Sequence, residues 1–170
     1  MSKVKTNAMR ILDAKKIPYD CLTYEIDEQI DGISVANKIA RPVETVFKTL
    51  VTRGNSKGIY VFVIPVAKAL DLKKAAKVVK EKKIEMIAVN EINALTGYIR
   101  GGCSPIGMKK SYLTVIDDSA LSLERFIVSG GKIGLQVELE PKVVEKLVRA
   151  QFANVTMQEE EEDALDFNDA

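Results

Sequence analysis

The sequence predicts an α+β (mixed α/β) domain, a single unit built on a curved mixed sheet with flanking helices. Three observations predict it. Short apolar strands and amphipathic helices follow one another without the regular strand–helix–strand alternation of a doubly wound fold. Residues 46–52 and 59–66 are joined by a Gly- and Asn-bearing turn at 54–58 that reads as a hairpin. The chain of 170 residues, 46% hydrophobic and 29% charged, suffices for one core but not comfortably for two.

The elements follow in order. Thr6 and Asn7 cap a first helix reaching about residue 16, with Met9, Leu12 and Val4 on one side, and Pro18 stops it. Residues 19–26 are β-branched and aromatic enough for a strand, and 27–32 form a loop. Ser34 caps a short helix whose Val35, Ala36, Ile39 and Ala40 recur at helical spacing until Pro42. After the hairpin, Asp71 caps a helix to about residue 80, with Leu72, Ala75, Ala76 and Val79 inward and lysines outward. Residues 84–89 are a strand, and Asn90 caps a short helix through Leu95. A glycine-rich stretch, 98–110, leads to strands at 112–116, 126–128 and 135–139. Pro141 opens a final helix reaching about Phe152. No internal repeat and no dinucleotide or phosphate-loop glycine motif is present.

Composition narrows the chemistry. No apolar run approaches the roughly 20 residues that span a bilayer, and the start has no apolar secretory segment, so a cytoplasmic protein with no membrane association is expected. Cys21 and Cys103 are far apart and should be free thiols. The chain has no histidine. That excludes Ser-His-Asp and Cys-His catalysis and most zinc sites, and no metal or other cofactor is expected. Residues 158–170 hold seven acids and no base. With those seven of the 24 acids set aside, residues 1–157 carry 25 bases against 17 acids, a balance of +8. The body, 1–157, is thus expected to be one basic domain suited to a polyanion, and 158–170 an acidic, disordered tail.

Three segments carry the candidate chemistry. Lys48 sits mid-strand among apolar neighbours, sharing a face with Val46, Leu50 and Thr52, while Phe47, Thr49 and Val51 share the other. It either snorkels to solvent at a sheet edge or reaches into a pocket to meet a phosphate, carboxylate or oxyanion. Thr96-Gly97-Tyr98-Ile99-Arg100-Gly101-Gly102-Cys103-Ser104-Pro105-Ile106-Gly107 is either a plain turn or a loop whose amides cradle an anion. Ser129-Gly130-Gly131-Lys132 is a weaker candidate of the same kind. Cys103 lacks a histidine to activate it, so packing is its expected role. Tyr24 suits either the core or a pocket wall.

Taken together and in order, these segments resemble the YbaK/EbsC family of prolyl-tRNA-synthetase-associated editing domains. The residues that carry the resemblance are Thr23-Tyr24-Glu25, Phe47-Lys48-Thr49-Leu50, Pro65-Val66, Leu70-Asp71-Leu72-Lys73-Lys74, Thr96-Gly97-Tyr98, Gly101-Gly102, Ser104-Pro105-Ile106-Gly107-Met108-Lys109-Lys110 and Val128-Ser129-Gly130-Gly131-Lys132. It covers roughly residues 5–155. The resemblance implies a sheet curved into a partial barrel and hydrolysis of mischarged aminoacyl-tRNA, above all Cys-tRNA(Pro), with Cys-tRNA(Cys) a further substrate. It implies Lys48 as the essential residue and a pocket lined by Tyr24, Ile33, Thr49, Gly101, Gly102 and Ser129, with Ile33 standing in for an aromatic residue. The cysteine substrate's own thiol would take part, and prolyl-tRNA synthetase is the implied protein partner. Gln136 departs from the pattern, standing where some relatives carry an acid. Editing of another amino acid, such as Ala-tRNA(Pro), and a non-catalytic tRNA or amino-acid binding module are the alternatives.

Overall fold

The structure, a computed structural model, describes residues 5–29 and 31–158; the acidic stretch from 159 onward lies outside the described residues. Two open sheets pack face to face. The smaller has strand order β1-β7-β6, from Asp20–Thr23 (β1), Phe126–Lys132 (β6) and Leu135–Leu139 (β7), all antiparallel. The larger runs β4-β2-β3-β5-β8, from Phe47–Gly54 (β2), Ile59–Pro65 (β3), Ile84–Met86 (β4), Leu113–Asp117 (β5) and Gln151–Ala153 (β8). Its β4-β2-β3 part is antiparallel, and β3-β5 and β5-β8 are parallel. A parallel bridge from Val46 to Ile127 joins the sheets where β2 begins. The expected curved mixed sheet is thus split in two, with neither part closed.

Alternation along the hairpin assigns each face. Phe47, Val61 and Val63 point into the main core between the sheets, meeting Phe126, Val128, Val137 and Leu139. Phe47 and Phe126 meet edge to face, their centroids 5.1 Å apart at 67°, and burying each such ring contributes about 1.5–3 kcal/mol. Helix α1 (Asn7–Ala14) and helix α5 (Pro141–Val148) close this core with Ala8, Leu12 and Val144. On the other face of the larger sheet, Phe62, Ile64 and Val115 pack under Ala75, Ala76 and Val79 of the α3 region (Leu72–Val78).

The caps explain where helices begin. Thr6 Oγ1 accepts the Met9 N–H, and Asp71 accepts the N–H groups of Lys73 and Lys74. Helix α2 (Gly32–Lys38) differs from expectation: Asp31, not Ser34, is its cap, accepting both the N–H and the hydroxyl of Ser34. Asp31 lies three residues before Ser34, so its carboxylate reaches the N–H at the third position of the helix. Leu72, expected to point inward, is 43% exposed, because the inward stripe begins only at Ala75. Strand β4 is shorter than the expected 84–89, and residues 89–91 form a 3-10 turn before α4 (Ile92–Thr96).

The final helix also stops short. Arg149 takes a left-handed conformation, φ 56°, which ends α5 and turns 151–153 into strand β8. The helical spacing of Val143, Val144, Leu147 and Val148 was legible; the strand after it was not. Among the described residues, no helix is long and apolar enough to cross a membrane.

Candidate active site

Strand β2 creates the site by having one half-open edge. Val46 C=O accepts from Val66 N–H, and Gly54 N–H donates to Gly58 C=O, so the even-numbered peptides face β3. Val51 C=O accepts from Ile87 N–H on the opposite side. In an antiparallel strand the direction alternates residue by residue, so the Thr49 peptide points away from β3. Strand β4 pairs only with Thr52–Gly54. The edge around Thr49 therefore opens into a cleft of about 590 Å³ whose lining also includes residues of β6 and β7. At such an edge, side chains from both faces of a strand reach the same space, which is how Lys48 and Thr49 come to line one cleft.

The other walls come from four places. Tyr24 follows β1, and Lys38 Nζ lies 5.8 Å from its ring centroid while donating to Asp27 Oδ1 at 2.6 Å. That contact ties the loop after β1 to α2. Asp31 and Gly32 contribute the start of α2; a Cβ on Gly32 would meet Val66 Cβ at 2.4 Å, so only glycine lets the helix approach so closely. Hydrogen bonds from the Ser34 backbone and hydroxyl hold the Asp31 carboxyl below the usual carboxylate range. Arg100, Gly101 and Cys103 enter from the glycine-rich loop, and Ser129 and Gln136 from β6 and β7, on the face of the smaller sheet opposite Val128 and Val137. Lys48 and Arg100 against Asp31 leave the lining with one net positive charge, suited to an anionic ligand.

Five of the residues singled out in the sequence thus share one cleft: Tyr24, Lys48, Thr49, Gly101 and Ser129. Two do not line it. Ile33 is half exposed on the first turn of α2, beside Asp31 and Gly32, which do. Gly102 stands behind the wall: its N–H is committed to Ile99 C=O, 2.9 Å, and a Cβ there would lie 2.8 Å from the Lys132 backbone. Its role is to let the loop pack against the β6–β7 turn, leaving Gly101 as the glycine that faces the cleft. Ser129 Oγ accepts the Gly131 N–H at 3.2 Å, which leaves its own proton to donate.

Cys103 lines the cleft but is poorly suited to attack. Burial pushes its thiol up to about 11, and Sγ lies 4.0 Å from Thr96 Oγ1. Near neutral pH it stays protonated. Thr49 Oγ1 and Gln136 Oε1 are buried polar atoms without a hydrogen-bond partner among the described residues, and both belong to this cleft. Sequence reasoning noticed Gln136 but gave it no role. In sequence it is one of the polar positions in the regular apolar–polar alternation of 135–139, which reads as an ordinary solvent-facing residue.

The profile of the aminoacyl-tRNA editing domain matches residues 27–147, which span the whole cleft apart from Tyr24. The chain belongs to the aminoacyl-tRNA editing domain family. A protein of Enterococcus faecalis (strain ATCC 700802 / V583), proposed to be a Cys-tRNA(Pro)/Cys-tRNA(Cys) deacylase and called EbsC, is 46% identical over 158 residues, 91% of this chain and 95% of that one. Among solved structures, a proposed trans-editing enzyme for prolyl-tRNA synthetase superposes with a TM-score of 0.79 at 22% identity, over 92% of this chain and all of the other. A structure described only as a hypothetical protein gives 0.81 at 22%, over 89% of this chain and 99% of its own. At that identity the superpositions establish the fold. Family membership makes the chain an aminoacyl-tRNA editing enzyme, an ester hydrolase of the deacylase class.

Proposed function

We propose that this editing enzyme hydrolyses cysteinyl-tRNA(Pro), and cysteinyl-tRNA(Cys) as a second substrate, with the cysteine's own thiol assisting. The observation that carries the reading is the convergence of Lys48, Gly101 and Ser129 on one cleft, in a chain 46% identical to a protein proposed to have that activity. An aminoacyl ester is already activated, so the enzyme's task is to orient it and stabilise the oxyanion that forms on its carbonyl. In this reading Lys48 holds the tRNA terminus or the developing oxyanion by charge. The Gly101 amide supports the oxyanion, Ser129 donates to the substrate from its remaining proton, and Tyr24 and Thr49 border the amino acid. The protonated Cys103 thiol and the lack of any histidine support a nucleophile brought by the substrate or by water. Residues 1–157 are proposed to form the functional domain, working in the cytoplasm where charged tRNA is used, with prolyl-tRNA synthetase a candidate partner.

The test is ester loss from cysteinyl-tRNA(Pro) and alanyl-tRNA(Pro), measured side by side for the native chain and Lys48→Ala. We expect fast loss of the cysteinyl ester, slow loss of the alanyl ester, and a fall of about 10²–10³-fold in the variant, the scale for removing one charge-stabilising group. Near-normal turnover by Lys48→Ala would remove that residue from the mechanism. Faster loss of the alanyl ester would reassign the amino acid.

A further inference from the structure

We propose that Gln136 and Thr49 form the subsite for the substrate's α-ammonium group, an inference that rests on the deacylase reading above. A buried polar atom without a partner costs about 1–3 kcal/mol, and folded proteins keep few of them. Here two lie in one cleft, Thr49 Oγ1 on the β2 edge and Gln136 Oε1 on β7. Gln136 is only 6% exposed and stands directly across the β6–β7 ladder from Ser129, which shares the cleft. Their side chains therefore leave the same face of that sheet.

The chemistry of the two atoms selects the ligand group. An amide oxygen only accepts, and a hydroxyl oxygen accepts as well as donates. Gln136 Oε1 thus requires an N–H or O–H donor, and the same kind of donor also satisfies Thr49 Oγ1. Phosphate and ester oxygens are acceptors and belong with Lys48 and Arg100 in the same cleft. A ribose hydroxyl brings one proton. The α-ammonium of an aminoacyl ester brings three N–H donors and a positive charge, so it has donors enough for both oxygens.

The terminal torsion of glutamine is soft, so the amide turns its oxygen toward an entering ammonium without backbone movement. A neutral amide also suits the surroundings. Two residues further along β7 on the same face, Glu138 is already paired with Arg41, Oε2 to Nε 3.0 Å. A carboxylate at 136 would instead compete for Lys48 and Arg100. The amide binds the ammonium by its dipole and leaves those cations for the anionic part of the substrate.

The experiment compares kcat/KM for cysteinyl-tRNA(Pro) with that for 3-mercaptopropionyl-tRNA(Pro), which keeps the thiol and ester and lacks only the amine. Removing hydrogen bonds to a charged group is worth about a 10- to 100-fold preference for the cysteinyl ester in the native chain. Gln136→Met and Thr49→Val should each lose more rate on the cysteinyl ester than on the desamino ester, so the preference shrinks toward one. Gln136→Glu should keep or enlarge the preference even if its overall rate falls, which damage to the fold would not produce. Equal losses on both esters in Gln136→Met and Thr49→Val, or a native chain with no preference, would overturn the subsite. If Gln136→Met does not fold, Thr49→Val and Gln136→Glu decide. A native chain that hydrolyses neither ester would refute the deacylase reading itself, and the subsite with it.

Discussion

Gly102→Ala tests whether the wall behind the cleft is as tight as its geometry says. The added Cβ would lie 2.8 Å from both Cα and C of Lys132 and 2.9 Å from Ile133 N. Ordinary contact begins at 3.4 Å, so the shortest approach must open by about 0.6 Å, and every atom it meets is backbone that no rotamer change can clear. Either the 100–103 loop or the β6–β7 turn has to move. Overpacking of this kind costs about 1–3 kcal/mol, a loss of about 2–12 °C in Tm for a chain of this size. The loop also carries Gly101 and Arg100 into the cleft. A misplacement approaching 1 Å costs on the order of 10²-fold in a positioned reaction, so we expect kcat to fall about 10- to 100-fold with KM changed less. Single-turnover deacylation beside a thermal melt gives both numbers. A companion, Gly130→Ala, meets the Leu135 side chain first, at 2.7 Å, and should be milder. If Gly102→Ala melts within 1 °C of the native chain and turns over within about twofold, the packing argument is wrong.

Two further outcomes follow from buried groups. Tyr98 donates to Ile106 C=O at 2.6 Å, and burial raises its phenol to about 12. A pKa above the unfolded value means that its stabilisation is full below about pH 10 and fades between about 10 and 12. Tyr98→Phe should cost about 1–2 kcal/mol at neutral pH and less in alkali, read from denaturant midpoints across pH. Cys103, raised by burial to about 11, should resist alkylation at pH 8 while exposed Cys21 reacts; mass mapping after iodoacetamide checks this. Rapid labelling of Cys103 would show that the cleft wall is open.

Much of this was legible because local rules and tertiary packing agree along most of the chain. The hairpin, the Asp71 cap and the alternation that sets Lys48 and Thr49 on opposite faces all follow from short-range pattern. Where sequence reasoning failed, the deciding contact was distant. Strand β8 forms because β5 offers it a parallel edge, and nothing in Gln151-Phe152-Ala153 announces that. Gly102 reads like Gly101 in sequence; only Lys132, brought close by the fold, separates a packing glycine from one that faces the cleft. Gln136 acquires meaning through Ser129 opposite it and Thr49 in the same cleft, neither of which its own neighbours reveal.

The order in which the chain is made has a consequence for the larger sheet. Strand β5 is flanked by β3 on one side and by β8 on the other, and β8 is the last of the described strands to leave the ribosome. Val155 N–H then binds the buried Asp117 carboxylate at 3.1 Å, and Thr156 bridges Leu70. Until those residues emerge, the nascent polypeptide presents Leu113–Asp117 as a bare strand edge, with the apolar Val115 and Ile116 in it, a ready template for pairing with another chain. A ribosome that stalls or terminates before Gln151 would release a product complete in its cleft residues but prone to aggregate.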